Sequence, residues 1–159
     1  MLSDDEKCIL FRKLVKDEEF LVRMGIAQNK IPSDCACEIA EILSNDKELS
    51  VRYMLASHQQ PPKECACEIM NKLSADNDAD VRRRVALTQT NLPEECACMI
   101  MTKLANDDDF YVIHTVASQR YLPKACACDI LLKLADDDDN KIRYAAKKNN
   151  TFSGCNHAQ

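Results

Sequence analysis

Apolar side chains recur along this chain in short stripes that restart after each of four prolines. Counting from Pro62, positions +3, +4, +7, +8 and +11 are Cys65, Ala66, Ile69, Met70 and Leu73, one face at the 3.6-residue period of an α-helix. The same stripe follows Pro32, Pro93 and Pro123. Proline suits the first turn of such a helix, where its missing N–H would have no intrahelical partner. Leucine ends the stripe, an acidic loop follows, and a second pattern such as Val51, Leu55 and Ala56 predicts a shorter helix of about two turns with one inward face.

The stripes are copies of one unit. Cys-Ala-Cys stands at 35–37, 65–67, 96–98 and 126–128, at spacings of 30, 31 and 30 residues. Alignment on these anchors recovers a fifth copy at the start of the chain. One column holds Leu14, Leu43, Leu73, Leu104 and Leu134, and three residues later come Asp17, Asp46, Asp76, Asp107 and Asp137. Val22, Val51, Val81, Val112 and Ile142 form the next column, followed by Arg23, Arg52, Arg82, Ile113 and Arg143. Ile26, Leu55, Val85, Val116 and Ala146 close the pattern, each beside Ala27, Ala56, Ala86, Ala117 or Lys147. A fixed period of this length is the signature of a solenoid, whose units bury their apolar faces against their neighbours.

The string Asp-x4-Val-Arg-x2-φ-Ala followed by proline, as in Asp46, Val51, Arg52, Leu55, Ala56 and Pro62, resembles the leucine-rich repeat variant family, a relative of HEAT-like repeats, over roughly residues 4 to 150. The resemblance implies a right-handed superhelix in which an α-helix alternates with a shorter helix, partly 3₁₀. It departs from the family in carrying Cys-Ala-Cys after the proline, and the cysteine cluster of the family's iron–sulfur member is not present. The expected fold is therefore an all-α, right-handed α-solenoid of about five two-helix repeats. Residues 1–150 are expected to form one helical-repeat domain with units near 4–32, 33–62, 63–93, 94–123 and 124–150, followed by a frayed polar tail over 151–159.

Composition narrows the chemistry. Two glycines in 159 residues leave no material for a glycine-rich phosphate loop, and His58, His114 and His157 accompany no nucleophile pattern. No enzyme is expected, and no cofactor. The acid runs Asp107–Asp109 and Asp136–Asp139 lack the glycine and closing glutamate of an EF-hand loop, so capping and solvation are their expected roles. The conserved-column aspartate, or a neighbour such as Asp80 or Asp109, is expected to cap the second helix, while the column arginine reaches an acid or carbonyl of an adjacent unit. A net charge of −5 disfavours a nucleic-acid partner, despite Arg82-Arg83-Arg84 and Lys147-Lys148. No apolar run has transmembrane length, and the opening residues lack the pattern of a secretory signal; a cytoplasmic setting is the expectation.

Ten cysteines raise the question of metal or redox chemistry. Residues i and i+2 of a helix point about 200° apart, so the two sulfurs of one Cys-Ala-Cys cannot grip one ion. Equivalent cysteines in neighbouring units are spaced by roughly 8–10 Å between helices, and only a diagonal pair could approach. On this reasoning Cys35, Cys65, Cys96 and Cys126 are expected to be buried, reduced and free of metal in a cytosol that keeps thiols reduced, and Cys155 to be exposed and reactive in the tail. Whether the second column, Cys8, Cys37, Cys67, Cys98 and Cys128, has a metal or redox role is left open.

The positions two and three after the Val column differ in every copy: Met24 and Gly25, Tyr53 and Met54, Arg83 and Arg84, His114 and Thr115, Tyr144 and Ala145. Constant core columns beside variable outer ones fit a non-catalytic scaffold that binds another protein. Met24, Tyr53, Met54, Arg83, Arg84, His114 and Tyr144 are the candidate contact residues, since such types are enriched at interfaces. The alternative is a cysteine-rich metal-binding or redox protein.

Overall fold

A computed structural model describes residues 2–58, 61–88 and 92–155, the side chain of His58 excepted. Eleven α-helices and no strand occur among them: α1 Asp4–Leu14, α2 Phe20–Gln28, α3 Ser33–Ser44, α4 Leu49–His58, α5 Lys63–Leu73, α6 Ala79–Leu87, α7 Glu94–Leu104, α8 Phe110–Ser118, α9 Lys124–Leu134, α10 Asn140–Lys148 and α11 Phe152–Cys155. The helices pack against their neighbours in two compact units, residues 1–84 and 85–159. In the first, α1, α3 and α5 pack side by side, α2 lies along α4, and α1–α2 and α3–α4 close against each other. In the second, α7, α9 and α11 form one row and α8 lies along α10.

The periodic columns form the core of both units. Leu43, Leu73, Leu104 and Leu134 are buried, as are Val51, Val81, Val112 and Ile142, and Ile26, Leu55, Val85, Val116 and Ala146. The alanine after each of these last positions is buried in α2, α4, α6 and α8, where any larger side chain would hold the paired helices apart. Pro32, Pro62, Pro93 and Pro123 are N-cap residues with extended backbone, one step before the helix and not within its first turn. The second helices are regular α-helix, which corrects the expectation of partial 3₁₀ structure. Nine or ten residues, one stripe packed along its full length, give enough tertiary support to hold the i→i−4 ladder.

A polar row satisfies the helix C-termini. The Asn149 side-chain amide, buried, donates to the Ala117 and Gln119 carbonyls at 3.0 and 2.9 Å. Gln119 Nε2 donates in the same way to the Ala86 carbonyl at 2.7 Å. Each amide thus supplies carbonyls that the preceding second helix leaves unpaired.

All ten cysteines are oxidised, contrary to the expectation of reduced thiols. Disulfides join Cys8 to Cys35, Cys37 to Cys65, Cys98 to Cys126 and Cys128 to Cys155, and Cys67 and Cys96 are also disulfide-bonded. Cα–Cα separations are 5.1 to 5.8 Å in these four, inside the disulfide range. The expectation failed because helix axes about 8–10 Å apart carry Cα atoms roughly 2.3 Å off each axis, so facing Cα atoms come within disulfide reach. At Cys35 and Cys37, and again at Cys126 and Cys128, the angle between i and i+2 that prevents chelation presents one sulfur to the preceding first helix and the other to the next helix of the row. Cys155, expected to be exposed, is buried at the end of α11. His157 and the rest of the tail beyond residue 155 lie outside the described residues.

Candidate binding face

Where the column residue is arginine, it closes the loop between a first helix and its second helix. Arg23, 6% exposed, donates through Nη1 to the carbonyls of Asp17 and Glu18 at 2.7 and 3.0 Å. Its other edge meets Asp46 of the following loop, Nε to Oδ2 at 2.5 Å and Nη2 to Oδ1 at 2.9 Å. Arg52 repeats the arrangement, reaching the Asp46 and Lys47 carbonyls and then Asp76 at 2.6 and 3.0 Å. In the second unit Arg143 donates to the Asp137 and Asp138 carbonyls, both at 2.7 Å.

This pairing reassigns the column aspartate. Asp46, Asp76, Asp107 and Asp137 accept the backbone N–H two residues on, at 2.8 or 2.9 Å, a turn that precedes the helix and is not its cap. The caps stand two residues later. Asp109 accepts from the N–H groups of Tyr111 and Val112, and Asp139 from those of Lys141 and Ile142. Burial opposes ionisation of Asp46 most strongly, yet the Arg23 hydrogen bond, the Glu48 N–H and nearby cations outweigh it and hold the carboxyl below its ordinary range. Asp46 in turn holds Arg23 above the usual guanidinium value.

The candidate contact residues fall into two groups, one in each unit. Met24, Tyr53 and Met54 come together with Leu49, Ser50 and Asp80 around a groove of about 330 Å³ between α2 and α4. Arg84 extends it. Its guanidinium lies 5.6 Å from the Tyr53 ring centroid, and its Nε donates to Ser57 Oγ at 2.7 Å. Arg83 is exposed, with Nη1 3.7 Å from Asp80, a separation at which a surface ion pair contributes little. Met24, Tyr53, Met54 and Arg84 are half-buried, so the outer positions are partly sheltered by one another.

The second group is His114 and Tyr144. His114 is half-buried beside Phe110, with ring centroids 5.6 Å apart, and its Nδ1 is 3.5 Å from Ser118 Oγ. Tyr144, 65% exposed, has Lys148 Nζ 5.8 Å from its ring centroid. Exposed Tyr111 and Tyr121 also belong to this unit but were not singled out from the sequence, because neither lies in the two outer columns. Among the described residues no cluster of three His, Cys, Asp or Glu side chains is placed to hold a metal ion.

No family model matches the chain, and no curated protein matches it. Among solved structures, the crystal structure of an engineered protein aligns with 91% of this chain and 77% of its own, at 16% identity and a TM-score of 0.46, a likeness too slight to carry an argument.

Proposed function

We propose that the protein is a non-catalytic binding scaffold whose second helices present a contact strip to another protein. The observation that supports this most is the groove between α2 and α4. Met24, Tyr53 and Met54 supply adaptable and aromatic apolar surface there, with Asp80 and the Arg84 guanidinium at its margin, the mixture enriched at interaction hot spots. A right-handed solenoid of about five units, of the leucine-rich repeat variant kind, is the architecture we propose for that strip, on the strength of the sequence columns. The metal reading needs free thiolates, and the disulfides tie those sulfurs to one another. Such bonds persist in oxidising compartments, which favours that setting over the cytoplasm.

The test is a selection of binders from a displayed peptide library against the oxidised protein, followed by affinity measurement on variants. Tyr53→Ala and Met54→Ala should weaken the selected binders by at least tenfold, while Glu68→Ala, on the first-helix surface, leaves them unchanged. Binders indifferent to both groove substitutions would overturn the assignment.

A further inference from the structure

Helix α1 differs from the later first helices in how its core column is covered. Ile39, Ile69, Ile100 and Ile130, each two residues after a second-column cysteine, are at most 3% exposed. The equivalent two residues after Cys8 is Leu10, 40% exposed. Leu14, in line with buried Leu43 and Leu73, is only half-buried. Its neighbour on the open side is Ile9, 68% exposed, at a position that holds Glu38, Glu68 and Asp129 in α3, α5 and α9 and the less exposed Met99 (48%) in α7. At 100° per residue, Ile9, Lys13, Glu6, Leu10 and Leu14 share one sector of about 140°, turned away from buried Cys8 and Val15.

We propose that this face of α1 is a two-fold interface between two copies of this chain. An isologous contact requires a surface complementary to itself, and the order of residues on α1 provides one. With two α1 helices antiparallel and the dyad between Ile9 and Leu10, Ile9 of each copy opposes Leu10 of the other. The same register sets Glu6 opposite Lys13, twice. The first turn of α1 is acidic, Asp4, Asp5 and Glu6, and the last is basic, Arg12 and Lys13, so antiparallel pairing brings unlike ends together along the whole contact. The Lys13 ammonium has no ion pair among the described residues, where Arg12 is held by Glu38 at 2.8 Å and Lys7 by Asp4 at 2.7 Å. Glu6 uses Oε2 for the Ser3 N–H of its capping box, which leaves Oε1 for the second copy. The face is separate from the groove between α2 and α4, so the two readings stand or fall independently.

Sedimentation velocity over a nanomolar-to-high-micromolar series tests it. The wild type should pass from the 18.0 kDa monomer to a dimer as concentration rises, and Ile9→Asp should remain monomeric with an unchanged melting temperature. Glu6→Lys and Lys13→Glu each oppose like charges twice and should each weaken dimerisation at least tenfold, whereas the two variants mixed in equal amounts should associate as the wild type does. That rescue does not depend on any effect of Glu6→Lys on the helix cap. A wild type that stays monomeric throughout, or a mixture no more associated than its separate components, would overturn the proposal.

Discussion

Arg23 and Asp46 face each other edge to edge, a bidentate pair at 2.5 and 2.9 Å between one loop and the next, with both side chains almost fully buried. The guanidinium fork matches the carboxylate and still has Nη1 left for two carbonyls of its own loop. One side chain therefore closes its own turn and fixes the distance to the following one. Arg52 does the same toward Asp76. In α8 Ile113 takes the arginine's place, and the Asp137 carboxylate has no guanidinium partner among the described residues, Arg143 reaching only its backbone carbonyl.

Removing one member of this pair leaves the other buried without a counter-charge. Asp46→Ala and Arg23→Met are each expected to lower unfolding free energy by about 3 kcal/mol. The double variant should cost less than the sum of the two by about 1–3 kcal/mol, because the partners are in contact. Urea denaturation of the four proteins measures the coupling, and additive losses would show that the pair does not act as a unit.

The pair also sets the response to acid. The folded pKa of Asp46 is depressed, so its contribution is fully present above the unfolded carboxyl value of about 3.9 and is lost as pH falls through the lower folded value. Melting temperatures of the wild type and Asp46→Asn are expected to differ at neutral pH and to converge below about pH 4. A constant difference down to strongly acidic solution would remove Asp46 from the acid-sensitive groups.

The hydrophobic columns were legible in the sequence because burial follows period: Leu43, Val51 and Leu55 had to share one side of their helices, and they do. Two features were not legible. Periodicity gives the angle of Cys37 around its helix but not the distance to Cys65 on the next, which depends on how closely the packed axes approach. The loops 46–49 and 107–110 offer several carboxylates to the same few N–H groups, and only the backbone path decides which one caps. The groove residues Met24, Tyr53 and Met54 were found because they vary beside invariant columns, although their mutual shelter required the packing of α2 along α4.

The disulfide ladder makes a chemical prediction. Alkylation of the denatured but unreduced protein should add no label, and reduction should expose ten thiols, with peptide mapping recovering Cys8–Cys35 and Cys37–Cys65 as separate links. Serine at both Cys8 and Cys35 opens a loop of 27 residues and should cost about 3–4 kcal/mol in the chain-entropy account. Rapid labelling of Cys155 in the native unreduced protein would contradict the Cys128–Cys155 link.

The last prediction concerns a cap that α2 lacks. Asp109 and Asp139 stand at the N-cap positions of α8 and α10, and each accepts two backbone N–H bonds. The corresponding residue of α2 is Glu19, whose backbone has the same extended conformation, φ −76° and ψ 117°, but whose side chain makes no cap hydrogen bond. Aspartate reaches the N2 and N3 amides from the N-cap, whereas glutamate is one methylene too long to fold back with the same ease. Glu19→Asp keeps the charge favourable to the helix dipole and is expected to raise stability by about 0.5–1 kcal/mol, while Asp109→Ala lowers it by about 1 kcal/mol. Thermal and urea unfolding of both variants provide the check. If Glu19→Asp destabilises the protein, the correspondence between these loops does not extend to α2.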